Sequence, residues 1–227
     1  CRLIPKLAVD PQERANQWSI GKSWQAVSAP VAAKEPVLDN ENGDWIIIGS
    51  SNGSKNSFFE KEFSFVPEGA DYNEIVHYIR AKSESAKNLK VLDARFYQKV
   101  YQPQFQQDVL IENAIEQTDQ LLQTLQGLSD LSLDRYVVLS EYGELVEPGS
   151  DVNLSVAPLI GLAKTAMTER PKLNITLMDL DSNERSWPEL IKLLNSLDTE
   201  QEIAVRNEEV FCLRLVPEKM TVPEQPD

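Results

Sequence analysis

Short apolar runs alternate along the chain with longer stretches whose apolar residues recur three and four positions apart. WSIGKSWQAV (Trp18 to Val27) alternates bulky and small side chains, the pattern of a half-exposed strand. SAPVAAKEPVLDNENG carries two prolines and an Asn/Gly cluster and reads as a loop. WIIIG, starting at Trp45, is continuously apolar, as in a strand covered on both faces. From Asp71 the period becomes helical, because Tyr72, Ile75, Val76 and Ile79 fall at i, i+3, i+4 and i+7, with Asp71 as cap. NLKVLDARFY follows as a strand.

The clearest helix spans about Gln106 to Gln126, with Leu110, Ala114, Leu121, Leu122 and Leu125 as its apolar stripe and Gly127 as its stop. RYVVLSEYG (Arg135 to Gly143) is a strand ending in a turn, and VAPLIGLAKTAMT (156 to 168) a small-residue helix suited to close packing on a sheet. LNITLMDLD (Leu173 to Asp181) alternates apolar and polar residues as a strand. SWPELIKLLNSL is a helix capped by Ser186, with Pro188 in the first turn where a missing N–H costs nothing. EIAVRNEEVFCLRLVP closes as two strands around a turn at Arg206-Asn207-Glu208. Strands spaced by helices predict βαβ units and an α/β fold with a mostly parallel sheet.

Composition narrows the function. The 227 residues suffice for one sizeable core. Against 22 basic residues stand 36 acidic ones, spread along the chain, for a formal charge of −14. Such a surface repels phosphate backbones and anionic lipid, which argues against nucleic-acid and membrane-surface binding and otherwise serves solubility. Cys1 and Cys212 stand at opposite ends, Cys212 inside VFCLRLV, so they read as a terminus and a buried strand residue, in keeping with a reducing cytoplasm. No apolar run approaches the ~18 residues that span a bilayer. The absence of an initiator methionine and the closing VPEKMTVPEQPD lead us to expect a segment of a longer polypeptide, with residues 1–16 and 218–227 as linkers.

A glycine loop after an early strand of a parallel sheet raises dinucleotide binding. Gly49 and Gly53 stand in the GxxxG part of a reductase GxxxGxG loop, in which backbone approaches a pyrophosphate at a helix N-terminus. Lys55 occupies the third glycine position, and KNSFFEKEFSF behind it lacks a small-residue helical face. Too little chain remains before Asp71 for a full helix and a second strand bearing a ribose-binding acid. Short-chain reductases pair a Tyr with a Lys four residues later, the Lys lowering the Tyr pKa. Tyr78 and Lys82 have that spacing, but only 25 residues after Gly53 and beside an apolar helix face. Tyr97 and Tyr101 miss the spacing.

Other chemistry is sparse. His77 is the single histidine and reads as a helix-surface imidazole, leaving no His-based triad or His-rich metal site. Asp179 and Asp181 end a strand, a functional edge in α/β sheets, yet read equally as strand end and helix cap. Ser140-Glu-Tyr-Gly lacks the glycine before Ser that a nucleophile elbow needs. Trp18, Trp24 and Trp45 suit core or interface.

The ordered set Ala157-Pro158-Leu159, Gly161-Leu162, Lys164, Pro171, Asp179-Leu180-Asp181, Val205-Arg206 and Arg214-Leu215 resembles the structural subdomain of the ketoreductase region in modular polyketide synthases. The resemblance covers residues 134 to 217 closely and 17 to 126 as an order of elements, with WIIIGSSNG in the place of a degenerate glycine strand. It departs from that pattern at Phe58 to Val66, where a Gly-rich helix is expected, and at Asp93-Ala-Arg, in place of a His and Trp.

The resemblance implies a truncated Rossmann-like fold over residues 17–217 that binds no cofactor or metal and has no catalytic residue. It would brace a catalytic half carrying NADPH, which reduces β-keto chains tethered to an acyl carrier protein. Implied partners are that half and neighbouring synthase domains such as an enoylreductase, dehydratase or methyltransferase. Two alternatives stay open: a divergent NADPH-binding reductase using Gly49, Gly53, Tyr78 and Lys82, and an acidic interaction module unrelated to reduction.

Overall fold

The computed structural model describes residues 20–28, 44–49, 63–66, 69–97, 107–150, 152–183 and 185–217. The expectations for Cys1, Trp18, Gly53, Lys55, Phe58, Tyr101, Gln106 and the two linkers lie outside them. The strands are β1 (Ile20–Val27), β2 (Asp44–Ile48), β3 (Ser64–Phe65), β4 (Leu89–Asp93), β5 (Arg135–Glu141), β6 (Ile175–Leu180), β7 (Glu202–Arg206) and β8 (Glu209–Pro217). The helices are α1 (Tyr72–Ser83), α2 (Gln107–Gly127), α3 (Ala157–Glu169) and α4 (Trp187–Ser196). The strands form one sheet in the order β1-β8-β7-β6-β5-β4-β2-β3. From β7 to β3 all neighbours are parallel, while β8 and β1 are antiparallel. This is the mostly parallel Rossmann-like sheet the sequence predicts.

The period of two decides which residues meet which helix. Ile46, Ile48, Val91, Tyr136, Val138, Ile175 and Leu177 face one layer, with Ile75 and Ile79 of α1, Leu121 and Leu125 of α2 and Leu159 and Ala163 of α3. Their neighbours Ile47, Leu92, Val137, Leu139 and Met178 face the other layer, with Trp187, Leu190, Ile191 and Leu194 of α4. Continuous apolar strands such as WIII are therefore buried on both faces, each large aliphatic contributing about 1.5–3 kcal/mol.

Local signals mostly hold. Asp71 caps α1 in a reciprocal capping box with Glu74, and Ser186 forms the same box with Glu189 on α4. Asn207 and Glu208 both take positive φ, at 48° and 68°, which makes the β7–β8 connection a two-residue hairpin turn.

A second parallel strand, β3, lies beside β2 over Ser64–Phe65 and carries no ribose-binding acid. Three readings need correction. Gly127 is the last residue of α2 and serves packing, because a Cβ there would lie 2.6 Å from Val76 Cγ2 on α1. Leu122 is 37 % exposed and off the buried stripe, which runs instead through Gln117, Leu121, Thr124 and Leu125. All six residues of β6 are buried, so Thr176 and Asp179 are not on a solvent face.

Candidate functional site

The chain leaves β2 for β3 on one side and returns past β2 to β4 on the other, so the strand order reverses between β2 and β4. Ligands of open α/β sheets bind beyond the carboxyl ends of strands at such a point. A cleft of about 590 Å³ lies there, lined by Gly49, Asp71, Tyr72, Arg95, Glu116 and Asp119 among others. Gly49 follows β2 with φ 132°, and a Cβ on it would meet the backbone carbonyl carbon of Ala94 at 3.1 Å. Its glycine character thus brings two strand ends together, since Ala94 N also donates to Ile48 O at 2.8 Å.

The charged residues described in the cleft are mostly acidic. Arg95 is the one cation among the described lining residues, beside the carboxylates of Asp71, Glu116 and Asp119. Its guanidinium is held inward by the fully buried Asp93, with Nε donating to Oδ1 at 2.8 Å and Nη2 to Oδ2 at 2.6 Å. Nη2 also donates to Thr124 Oγ1 at 3.0 Å. Tyr136, buried beneath, donates its hydroxyl to Asp93 Oδ2 at 2.7 Å. Burial alone would push Arg95 down, but the Asp93 charge and hydrogen bonds carry it above its ordinary range. Burial, then the Asp93 charge, raises Tyr136 far above an ordinary phenol, so it remains a donor.

The amino end of α1 is occupied as well. Glu74 N donates to Asp71 Oδ1 and Asp71 N donates to Glu74 Oε2, both at 2.9 Å. The N–H groups and positive helix end that would attract a pyrophosphate are matched by carboxylates of the helix itself.

Among the described sequence candidates only Gly49 lines this cleft. Tyr78 and Lys82 meet each other on α1, with Lys82 Nζ 5.8 Å from the centre of the Tyr78 ring, and neither lines the cleft. His77 is exposed on the same helix. Trp45 is buried under Lys90, whose Nζ lies 5.6 Å from the indole.

The β6 carboxylates lie elsewhere and are spent on structure. Asp179 accepts from Ser140 Oγ at 2.6 Å, Gly143 N at 2.8 Å, Glu144 N at 3.1 Å and Arg206 Nη2 at 2.5 Å. Gly143 is required there, because a Cβ would lie 2.4 Å from Ile160 Cδ1. Asp181 accepts from Arg185 Nη1 at 2.5 Å and from Asn207 N at 2.7 Å, which pins the β7–β8 turn. Burial works against its charged form, but these donors hold it below the usual carboxylate range. Among the described residues no group of three or more His, Cys, Asp or Glu could hold a metal ion, and no helix is long and apolar enough to cross a membrane.

Sequence reasoning noted Asp93-Ala-Arg only as a departure from the family pattern. The partners Tyr136 and Thr124, 43 and 29 residues away from Asp93 and Arg95, gave no signal of their own.

A Rossmann-like sheet whose order reverses beside a glycine turn matches a defined family. Residues 22–215 match the family described as the Rossmann fold domain of the polyketide synthase extender module SpnB. The chain belongs to this family. The ordered motifs from Ala157 to Leu215 all lie within the matched residues. Solved structures agree on the fold. An A1-type ketoreductase superposes with a TM-score of 0.60 at 20 % identity, over 90 % of this chain and 43 % of that one. The first ketoreductase of the tylosin PKS gives 0.56 at 18 %, over 90 % and 42 %. A multidomain structure of adenylation, ketoreductase and pseudo Asub parts from a keto acid-selecting NRPS module gives 0.61 at 14 %, over 88 % and 18 %. The chain thus spans less than half the length of these structures. Curated protein sequences give no match.

Proposed function

We propose that this domain is the non-catalytic structural half of a polyketide synthase ketoreductase region. It spans residues 17–217, with linkers at 1–16 and 218–227, and works in the cytoplasm. It braces a catalytic half that holds NADPH and reduces β-keto acyl chains on an acyl carrier protein, among neighbouring synthase domains such as an enoylreductase, dehydratase or methyltransferase. The observation that carries this reading is the state of the switch-point cleft. Among the described lining residues the cation Arg95 is clamped by Asp93 and the other charges are acidic, and the α1 amino end carries its own capping box. A dinucleotide carries two phosphates that such a site repels.

Binding tests it. NADPH at 100 times its Kd would add about 2.7 kcal/mol to a protein that binds it. For a domain of this size that is a rise of roughly 5–10 °C in melting temperature. We expect no rise with millimolar NADPH, and a rise of that size would favour the divergent reductase reading, which the cleft's volume and place at the strand reversal support.

A further inference from the structure

Helix α2 carries four carboxylates, Asp108, Glu112, Glu116 and Asp119, and no lysine or arginine. It also leaves apolar side chains in solvent, Ile111 at 50 % and Ile115 at 65 % exposure, with the exposed Leu122 in line with them. These three stand at i, i+4 and i+11, one straight row on a helix, beside the buried Leu121 and Leu125 rather than among them. Asp108, Glu112 and Asp119 repeat the same spacing three residues earlier, so each apolar residue has a carboxylate as its i−3 neighbour. All three acids are exposed and, among the described residues, none is in an ion pair, although Asp119 accepts from Gln123 Nε2 at 2.5 Å. The acid row lies on the cleft side of α2, where Asp119 is part of the lining. On its other flank α2 packs beside α3 and the 3₁₀ turn Leu154–Val156, whose Leu154 is 68 % exposed. From Ala157 to Thr165 the exposed residues of α3 are Ala157, Pro158, Gly161 and Thr165, none of them charged. Helix propensity does not account for the two isoleucines, because β-branched residues are poorer helix formers than the Gln and Glu that fill much of α2. An exposed apolar row of this kind marks an interaction surface.

We propose that this face of α2 docks an amphipathic helix of a partner protein segment whose apolar stripe is bordered by lysine or arginine. Shape and charge select this occupant. A straight apolar row offers ridges and grooves to a second helix, whereas an added strand needs the free backbone edge that a helix lacks. The carboxylate row is complemented by cations, while a second copy of this chain would set two such rows in one contact. A lipid surface fits poorly, because a net charge of −14 opposes anionic membranes. The docking face stands whether or not this chain binds NADPH.

Peptide binding tests the assignment. The probe is a fluorescent helix-forming peptide of about 20 residues, with leucines at i, i+4 and i+11 and a lysine three residues before each. Two comparison peptides carry glutamate in place of lysine, or the same residues in scrambled order. Fluorescence anisotropy at physiological ionic strength reads the affinity of the whole chain. We expect saturable binding of the basic peptide only. Ile111→Gln with Ile115→Gln, and separately Asp108→Lys with Glu112→Lys, should each weaken it at least about tenfold. Glu208→Lys with Glu209→Lys makes the same change in net charge at the β7–β8 turn and should alter it less than about twofold. No binding, equal binding of either comparison peptide, or an equal loss from the Glu208 and Glu209 pair overturns the proposal, the last because general acidity would then explain the attraction. So does sedimentation showing that the chain alone self-associates and that Ile115→Lys abolishes this, because a second copy would then occupy the face. Circular dichroism and urea midpoints of each variant confirm that these exposed substitutions leave the fold intact.

Discussion

Arg135 offers the most demanding check on how this fold is held together. It opens β5, is 3 % exposed, and reaches along the α4 side of the sheet to the carboxyl end of α4. Its Nη1 donates to Leu194 O at 2.5 Å, its Nη2 to Leu197 O at 2.9 Å and Glu200 O at 2.8 Å, and its Nε to Thr176 Oγ1 at 2.9 Å. The last turn of α4 has no basic residue of its own, so a cation from another element satisfies its orphan carbonyls and opposes its dipole. A hydrogen bond to a charged group is worth about 1.5–3 kcal/mol, but four on one guanidinium are not additive. Arg135→Met also relieves the cost of burying the charge, the same burial that pushes Arg135 below its ordinary pKa. The net expectation is a loss of about 3 kcal/mol, or roughly 6–12 °C in melting temperature. Arg135→Lys, with a single ammonium in place of a planar fork, should recover less than half of it. Urea unfolding measures the loss, and amide hydrogen exchange should accelerate first at Leu197 and Glu200. A loss under about 0.5 kcal/mol, or full rescue by lysine, refutes the capping argument.

Three further outcomes are expected. Gly127→Ala should cost about 1–3 kcal/mol despite alanine's helix preference, because its Cβ would lie 2.6 Å from Val76 Cγ2, and adding Val76→Ala should restore most of it in a double-mutant cycle by urea unfolding. Glu208→Gly should raise stability by about 0.5–1 kcal/mol, since Glu208 holds φ 68° at a turn position that glycine takes without strain, and an unchanged or lower urea midpoint would contradict this. Asp181 is held below the usual carboxylate range in the fold, so its contribution is present above its unfolded pKa and lost as pH falls through the folded value. Asp181→Asn should therefore lower the melting temperature at pH 7 and flatten its fall below about pH 4, as thermal scans across pH 2–7 would read.

The legible parts of the candidate site were those written in adjacent residues. The WIIIG run placed β2 and its glycine turn, and Asp71 ahead of the apolar period from Tyr72 placed the capped amino end of α1. The clamp was not legible, because Asp93 and Arg95 are tied to Tyr136 and Thr124 on other elements, and no local period records such a pairing. Asp179 stayed open in the sequence for a related reason. At a strand end it reads equally as a site acid and as a structural one, and only the fold shows that three backbone or hydroxyl donors and Arg206 consume it. Tyr78 and Lys82 show the converse, a spacing that suits chemistry but that α1 turns into a ring-to-cation contact away from the cleft.

By itself the sequence determined the alternation of strands and helices, the parallel sheet and the caps, because hydrophobic period and backbone preference act over a few neighbouring residues. Tertiary structure alone decided the two-residue β3, the fit of Gly127 against Val76, the Arg135 cap and the clamped cleft. Each of these depends on which distant residues the strand order brings within a few ångströms, and contact energies between residues tens of positions apart leave no periodic trace in the chain.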